Sequence, residues 1–328
     1  MRYIIRADAT INGGAGHVMR SSVIAEELIL GKKEVIFVGE TSAIPWVNKY
    51  INQLGFSEII AKPEDFSPNS KSDFLVLDSY TVDYGDKFIA KRNWKSVMAF
   101  VDNSTPKYSA DLYVHAGPET HWGKPINFQN GTLVTGKKFI PIRRELCEIK
   151  EKRIGYSHVI SSNSPIRILI SGGGSDPFNF SIELCKILSK LNFEFTAQVL
   201  ASSFAIEKLD YRFEIIALGS NLSEILQTTD LVFTTAGTSS WEYIYLGFPI
   251  GLACAVANQK INYKYQTENE LVIGIAEKID ANWQFDLVQI SNLISNAQIR
   301  KNLRQRSDKF LDSKGSKRII QAFLSLNL

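Results

Sequence analysis

The sequence predicts an α/β protein built from two doubly wound, Rossmann-like domains with an interdomain cleft. Three observations predict it. Short apolar runs alternate with helical patterns from end to end, as expected for parallel strands covered by helices. The alternation pauses at a polar interval, "KEKRIGYSHVISSNSP" (150–165), and then starts again. The length, 328 residues, suits two domains of ordinary size. We therefore read a first domain over 1–155 and a second over 156–328. The last helix is a candidate to pack back on the first domain.

In the first half the strand candidates are 3–7, 34–39, 74–79, 96–102, 111–116 and 131–136. Between the first two, Val18, Val23, Ile24, Leu28 and Ile29 form a helical stripe that Gly31 closes, glycine being the usual residue beyond a helix C-terminus. In the second half the strand candidates are 167–172, 195–201, 213–218, 231–235, 250–256 and 271–276. Helices are expected over 179–190, 221–228, 238–247 and 259–268, with Asn221 and Glu224 spaced as a capping box. From 283 the pattern reads as helical to the end, "KGSKRIIQAFLSLNL" forming the final helix.

Composition narrows the function. A formal charge of +3 with scattered basic residues argues against nucleic acid or an anionic membrane as partner and suits a small phosphate-bearing molecule. Cys147, Cys185 and Cys254 are widely spaced and lack any CxxC pairing, so they read as buried free thiols of a reducing compartment. "MRYIIRADAT" lacks the apolar stretch of a secretory leader, and "GFPIGLACAVA" is too short to span a bilayer. The sequence reads as soluble and cytoplasmic, without an integral membrane segment.

Candidate chemistry gathers where strands meet helices, since ligands of open parallel sheets bind beyond the carboxyl ends of the strands. Asp8, Asp78 and Asp102 close three first-half strands. "DATINGGAGHVMRS" (8–21) follows the first of them, with Gly14 and Gly16 in a loop and His17 at a helix start. Its amides favour an anion, and His17 can act as a general base, for which Asp8 is the first candidate to orient the ring. The loop lacks the spacing of a dinucleotide site, and no Gly-Lys-Ser/Thr follows to make a P-loop; no cofactor is implied. In the second half, "LISGGGSDPFN" places Gly172, Gly173, Gly174 and Ser175 where they could wrap a phosphate. "TTAGTSSWEYIYLGFP" places Thr238, Ser239 and Ser240 at a helix N-terminus, with Glu242 suited to ribose hydroxyls. Asn258 and Gln259 would add amides to the same rim. His115, His121 and His158 show no metal-ligand spacing, and no D-x-D cluster occurs, so the chemistry reads as metal-independent. "PETHWGKP" receives no role.

"RADATINGGAGHVMRS", "LVLDSY", "IPIRREL", "LISGGGSDPFN" and "TTAGTSSWEYIYLGFPIGLACAVANQ" occur in this order over almost the whole chain. Together they resemble the UDP-2,4-diacetamido-2,4,6-trideoxy-β-L-altropyranose hydrolase family of pseudaminic acid biosynthesis and related spore-coat polysaccharide proteins. The C-terminal block also looks like the UDP-N-acetylglucosamine transferase of peptidoglycan synthesis. The resemblance implies the glycosyltransferase-B architecture, a UDP-sugar substrate cleaved at the anomeric carbon, and pathway enzymes as further partners. It implies His17 and Tyr80 in catalysis beside Asp8, Glu242 on the ribose and Asn258 beside the nucleotide. Arg20, Asp78, Asp102 and Gln259 would contact the substrate. Ser79 stands where the family commonly has histidine, Asn103 where a second acid often follows, and "GGGSD" where "GGTD" is usual. Besides the hydrolase, the readings open here are an inverting UDP-sugar glycosyltransferase with a sugar or lipid acceptor, a UDP-sugar 2-epimerase and a non-catalytic binder.

Overall fold

A computed structural model describes residues 1–79, 82, 85–102, 108–119, 131–156, 165–201, 209–220 and 222–326. It divides into two compact units, Met1–Ile142 with Ser313–Leu328, and Arg143–Asp312.

Unit 1 contains β1 (Arg2–Ala7), α1 (Gly16–Leu30), β2 (Glu34–Val38), α2 (Pro45–Gln53), β3 (Glu58–Ile60), β4 (Asp73–Asp78), β5 (Ser96–Phe100), β6 (Leu112–His115) and β7 (Thr132–Thr135). Among the described residues its strands pair in the order β3-β2-β1-β4-β5-β6-β7, each pair parallel. Successive residues of a strand face opposite sides, so each strand supplies two cores. Tyr3, Ile5, Ala7, Phe74, Val76, Met98 and Phe100 pack on the face that carries Val18, Ile24 and Leu28 of α1. Ile4, Leu75, Leu77, Val97 and Ala99 fill the other face.

Unit 2 contains α3 (Arg144–Tyr156), β8 (Ile166–Ser171), α4 (Phe180–Leu188), β9 (Phe195–Ala201), β10 (Phe213–Ala217), α5 (Leu222–Thr228), β11 (Leu231–Thr235), α6 (Thr238–Tyr245), β12 (Ile250–Cys254), α7 (Lys260–Glu268), β13 (Ile273–Ile279), β14 (Asn282–Phe285), α8 (Leu287–Ser295) and α9 (Ala297–Ser307). Its described strands run β10-β9-β8-β11-β12-β13-β14, parallel except for the antiparallel β13–β14 pair. The chain then returns to unit 1 as α10 (Gly315–Ser325), whose Ile319 and Phe323 enter the α1-side core. A methyl group on Gly315 would lie 2.0 Å from the Ile140 carbonyl oxygen, so only glycine allows that docking.

Four readings need correction. Residues 150–156 belong to α3 rather than to a linker, and the unit boundary falls at 142/143 rather than 155/156. The reason is that α3 packs into unit 2: Arg153 donates to the carbonyls of Leu226 and Thr229 and stacks on Phe248 at 3.7 Å. Residues 282–285 form a strand before the terminal helices begin, and β3 has no counterpart among the expected strands. Cys147 is only half-buried, whereas Cys185 and Cys254 are buried and all three thiols are free; burial pushes the Cys185 thiol up to about 12. Asn221 lies outside the described residues. Among the described residues, no helix is long and apolar enough to cross a membrane.

His115 ends β6 in a buried position, its Nδ1 3.1 Å from the Pro118 carbonyl and 3.3 Å from Thr135 Oγ1. Burial lowers its pKa below the ordinary 6.5, with Asp102 opposing the shift. A lowered folded value means that the contribution of neutral His115 is fully present above pH 6.5 and is lost as pH falls through the folded value. The expected outcome is that His115→Gln flattens the decline of the denaturation midpoint on the acid side of pH 6.5. An unchanged acid limb would refute this.

Candidate functional site

Both sheets reverse their strand order at one point, between β1 and β4 in unit 1 and between β8 and β11 in unit 2. Such switch points open a crevice at the carboxyl ends of the strands. Within each unit, the described candidates lie at strand ends or in the loops and first helical turns that follow them.

In unit 1 the loop after β1 is a tight hairpin. Thr10 and Gly14 exchange backbone hydrogen bonds of 3.3 and 2.8 Å, and Gly13 N donates to Thr10 Oγ1 at 2.8 Å. Gly14 sits at φ 75°, which glycine adopts without strain. Its amide is committed to the hairpin, so the loop offers a ligand no N–H from Gly14. Gly16 is the first residue of α1, where amides lack intrahelical acceptors.

The hairpin delivers His17 into the first turn of α1, with Arg20 one turn later on the same side. His17 Nδ1 lies 2.6 Å from Asp78 Oδ1. Arg20 grips the same carboxylate through Nε and Nη2, both at 2.8 Å, and grips Asp102 through Nη1 at 2.8 Å and Nη2 at 3.1 Å. Its guanidinium also stacks on Phe100 at 4.8 Å. Burial works against the charge on Arg20, yet the carboxylates of Asp102 and Asp78 hold its pKa well above the ordinary arginine value. Asp78 already accepts from Arg20, so the hydrogen-bond network assigns the proton of a neutral imidazole to Nδ1. The lone pair is then on Nε2, the nitrogen facing away from Asp78, and the ring is oriented as a base. The His17 side chain is 12% exposed against 1% for Asp78.

Asp8 does not orient His17. It accepts from Arg6 Nη1 at 2.6 Å and from Glu40 N at 2.9 Å, tying the end of β1 to the loop after β2. The cause is strand alternation. Asp8 shares the parity of Ile4, on the face away from α1, whereas Asp78 pairs in register with Ala7 on the α1 face. Asp102 continues the Met98–Phe100 side of β5 onto that face. Arg20, expected on the substrate, has its guanidinium on these two carboxylates. Ser79 is buried, and Tyr80 and Asn103 lie outside the described residues.

In unit 2 the two glycine-bearing loops differ. Asp176, at the end of "GGGSD", turns its carboxylate onto the start of α4 and accepts from Phe180 N and Ser181 N, both at 2.9 Å. A methyl group on Gly172 would lie 2.0 Å from Asp176 Oδ1, and the Gly172 amide donates to Ser181 Oγ at 3.1 Å. Gly172 therefore makes room for the aspartate and lends no amide to a phosphate. Gly173, Gly174 and Ser175 are half-exposed beside it, with Gly173 at φ 98°.

The α6 N-terminus carries no side-chain cap, and Gly237, Thr238 and Ser239 are half-exposed. Gln259 accepts from Ala255 N at 2.9 Å through Oε1, and its Nε2 lies 3.9 Å from where a Gly237 Cβ would stand. One end of the amide is thus fixed and its NH₂ turned toward the opening of α6. Asn258 is exposed on the preceding turn. Ser240 departs from the expectation: it is buried, donates to the Gly237 carbonyl at 2.7 Å and accepts from Gln266 Nε2 at 2.9 Å. Glu242 is bound by Arg143, with Nε to Oε1 at 2.7 Å and Nη2 to Oε2 at 2.9 Å. Sequence reasoning missed both Arg143 as the keeper of Glu242 and Asp176 as the cap of α4. The second had a signal, an aspartate three residues before a predicted helix. Among the described residues, no group of three or more His, Cys, Asp or Glu side chains is placed to hold a metal ion.

No family model matches the chain. A curated relative, the uncharacterized protein MJ1062 of Methanocaldococcus jannaschii, is 30% identical over 278 residues, covering 76% of this chain and 55% of the relative. The chain thus spans about half the length of the curated relative it matches. Among solved structures it is similar to S. aureus MnaA with UDP, at a TM-score of 0.63 and 12% identity over 99% of this chain and 97% of that one. It is similar to CalG4, the calicheamicin glycosyltransferase, at 0.57 and 12% over 99% and 98%. A UDP-N-acetylglucosamine 2-epimerase matches at 0.56 and 13% over 99% and 96%. These likenesses establish the fold as the glycosyltransferase-B type, two Rossmann-like α/β units.

Removing one partner of a buried ion network strands the others, at a cost of about 3–5 kcal/mol. Arg20→Met is expected to destabilise unit 1 by that order. Asp78→Asn in the same chain should return part of the loss, because one stranded charge is gone. Chemical denaturation of the wild type, both single variants and the double variant checks this; additive losses would show that Arg20 and Asp78 are not coupled.

Proposed function

We propose that the chain is a UDP-sugar-dependent glycosyltransferase in which His17 is the general base. The observation that carries the reading is the His17–Asp78–Arg20–Asp102 network at the β1–β4 switch point. It holds the imidazole by Nδ1 against a fixed carboxylate and turns Nε2 away from that carboxylate. In the reaction a hydroxyl of the acceptor attacks the anomeric carbon, and its proton passes to His17 Nε2. The bond from that carbon to the UDP oxygen breaks, and its electron pair leaves with the diphosphate.

Unit 2 holds the nucleotide in this reading. The uncapped first turn of α6, with Thr238, Ser239 and the NH₂ of Gln259, supplies donors to the diphosphate as negative charge develops on it. Glu242 accepts from ribose hydroxyls through the lone pairs that Arg143 leaves, with Arg143 fixing its direction. Asn258 adds a contact at the rim. Gly173, Gly174 and Ser175 line the neighbouring loop.

The likeness to a named glycosyltransferase and to a UDP-bound protein supports a UDP-sugar substrate, and it supports transfer to a hydroxyl over the hydrolysis that the motif series suggests. Ser79 and Asn103, standing where the hydrolase family commonly has other residues, weigh the same way.

The test is UDP release from a panel of UDP-sugars, with and without sugar and polyprenyl-phosphate acceptors, with NMR of the sugar product. Release that requires an acceptor is expected. Release into water alone would reassign the chain as a hydrolase, and an inverted C2 without UDP release as an epimerase. His17→Asn should lower kcat by about 10²–10⁴-fold, the usual worth of a general base, while UDP binds as tightly as before. Full turnover by that variant would remove His17 from the mechanism.

A further inference from the structure

Helix α7 meets the start of α6 with side-chain amides. Gln259, Asn262 and Gln266 are spaced by three and four residues, so they share one face of the helix. Each addresses the α6 loop in turn. The Gln259 NH₂ lies 3.9 Å from where a Gly237 Cβ would stand, and Asn262 Nδ2 lies 3.5 Å from the Ala236 carbonyl oxygen. Gln266 Nε2 donates to Ser240 Oγ at 2.9 Å.

Gln259 and Asn262 are half-buried, whereas Gln266 is 0% exposed. Its Oε1 has no hydrogen-bond partner among the described residues, so no bond to them offsets the cost of dehydrating that half of the amide. An apolar side chain of similar length would fill the space without that cost. What Gln266 adds is therefore on its NH₂ side.

An NH₂ group only donates. The single proton of the Ser240 hydroxyl is thus left for the Gly237 carbonyl, which it reaches at 2.7 Å, and the Ser240 N–H joins it there at 3.2 Å. Gly237 immediately precedes α6 and has no side chain by which to be held. In a trans peptide the C=O and the following N–H point in opposite directions. Holding the Gly237 carbonyl against the first turn of α6 therefore turns the Thr238 N–H outward, in a half-exposed turn whose amides lack intrahelical acceptors.

We propose that Gln266 is a positioning residue for the diphosphate: acting through Ser240, it holds the Gly237 carbonyl inward and keeps the Thr238 N–H turned toward the ligand. This role presupposes that the start of α6 receives the diphosphate of UDP, as in the function proposed above.

The test compares wild type, Q266M, S240A and the double variant, titrated with UDP by calorimetry and with uridine by NMR shifts. Q266M keeps the length of the side chain and removes the donor, and S240A removes the relay. Each should weaken UDP binding about tenfold, the worth of one misdirected hydrogen bond to a charged group. Uridine affinity should not change, since uridine carries no phosphate. The double variant should lose no more than either single one, because both break the same chain of contacts. Backbone amide NMR of the unliganded chains adds a readout that needs no nucleotide. In Q266M the Thr238 and Ser239 signals should broaden or multiply, while those of α8 stay as in wild type.

Equal weakening of UDP and uridine would mean that Gln266 only supports the fold of unit 2, and overturns the proposal. Wild-type UDP affinity in Q266M, or additive losses in the double variant, overturns it too. Each of these outcomes leaves UDP binding by wild type, and with it the proposed function, standing. Unchanged Thr238 and Ser239 signals in Q266M overturn the positioning role whether or not UDP binds. A wild type that does not bind UDP overturns the proposed function, and the diphosphate role of Gln266 with it.

Discussion

The structure of unit 1 around its switch point depends on one carboxylate shared by two cations. Asp78 accepts from Arg20 with both oxygens and from His17 with one of them. Its place is set by the sheet, since it ends β4 in register with Ala7 of β1 and has no freedom to follow a ligand. Arg20 carries that rigidity to Asp102 beyond β5, so two strand ends and the first turns of α1 are fixed together. A buried arginine between two carboxylates is costly to dehydrate, and its retention is better explained by what it positions than by net stability. What it positions is the imidazole.

Strand parity explains why this carboxylate and not a nearer one. Asp8 is much closer to His17 in sequence, and a loop that brings a histidine back past a strand end invites the nearest acid as its partner. Yet α1 covers only the face that Tyr3, Ile5 and Ala7 present. A side chain one position later points to the other face, where Arg6 and the Glu40 amide take it. The residues that can meet α1 are those in step with Phe74 and Val76 on β4 and with Met98 and Phe100 on β5. Continued to the strand ends, that count gives Asp78 and Asp102.

Much of this was legible in the sequence, and the remainder was hidden for physical reasons. The central strands announce themselves because parallel sheets are buried on both faces, so β1, β4, β5, β8, β11 and β12 are near-continuous apolar runs. The edges do not: β3 offers three residues and β14 reads Asn-Trp-Gln-Phe. The last turns of α3, residues 150–156, read as linker because their charged composition is that of a solvated segment, although Arg153 packs on Phe248 through the flat face of its guanidinium. His17, Asp78, Asp102 and the α6 loop could be found from position alone, at the ends of strands. The pairing of Arg143 with Glu242 could not, because 99 residues separate them and nothing local links them.

The two glycine loops of unit 2 look equivalent in sequence, and an electrostatic argument separates them. Both precede a helix whose first amides favour an anion. In the loop after β8 the protein supplies that anion itself: Asp176 takes the amides of Phe180 and Ser181, and Gly172 lacks a side chain because the carboxylate occupies its space. A second negative group at the α4 N-terminus would meet like charge and committed donors. In the loop after β11 no carboxylate among the described residues caps the helix. Gly237 opens α6 without a cap, Ser240 turns inward to Gln266, and Gln259 points its NH₂ toward the opening. The chain satisfies the start of α4 with its own carboxylate and gives α6 no side-chain cap. On the proposed reading, the anionic part of the substrate binds at α6 rather than at the start of α4.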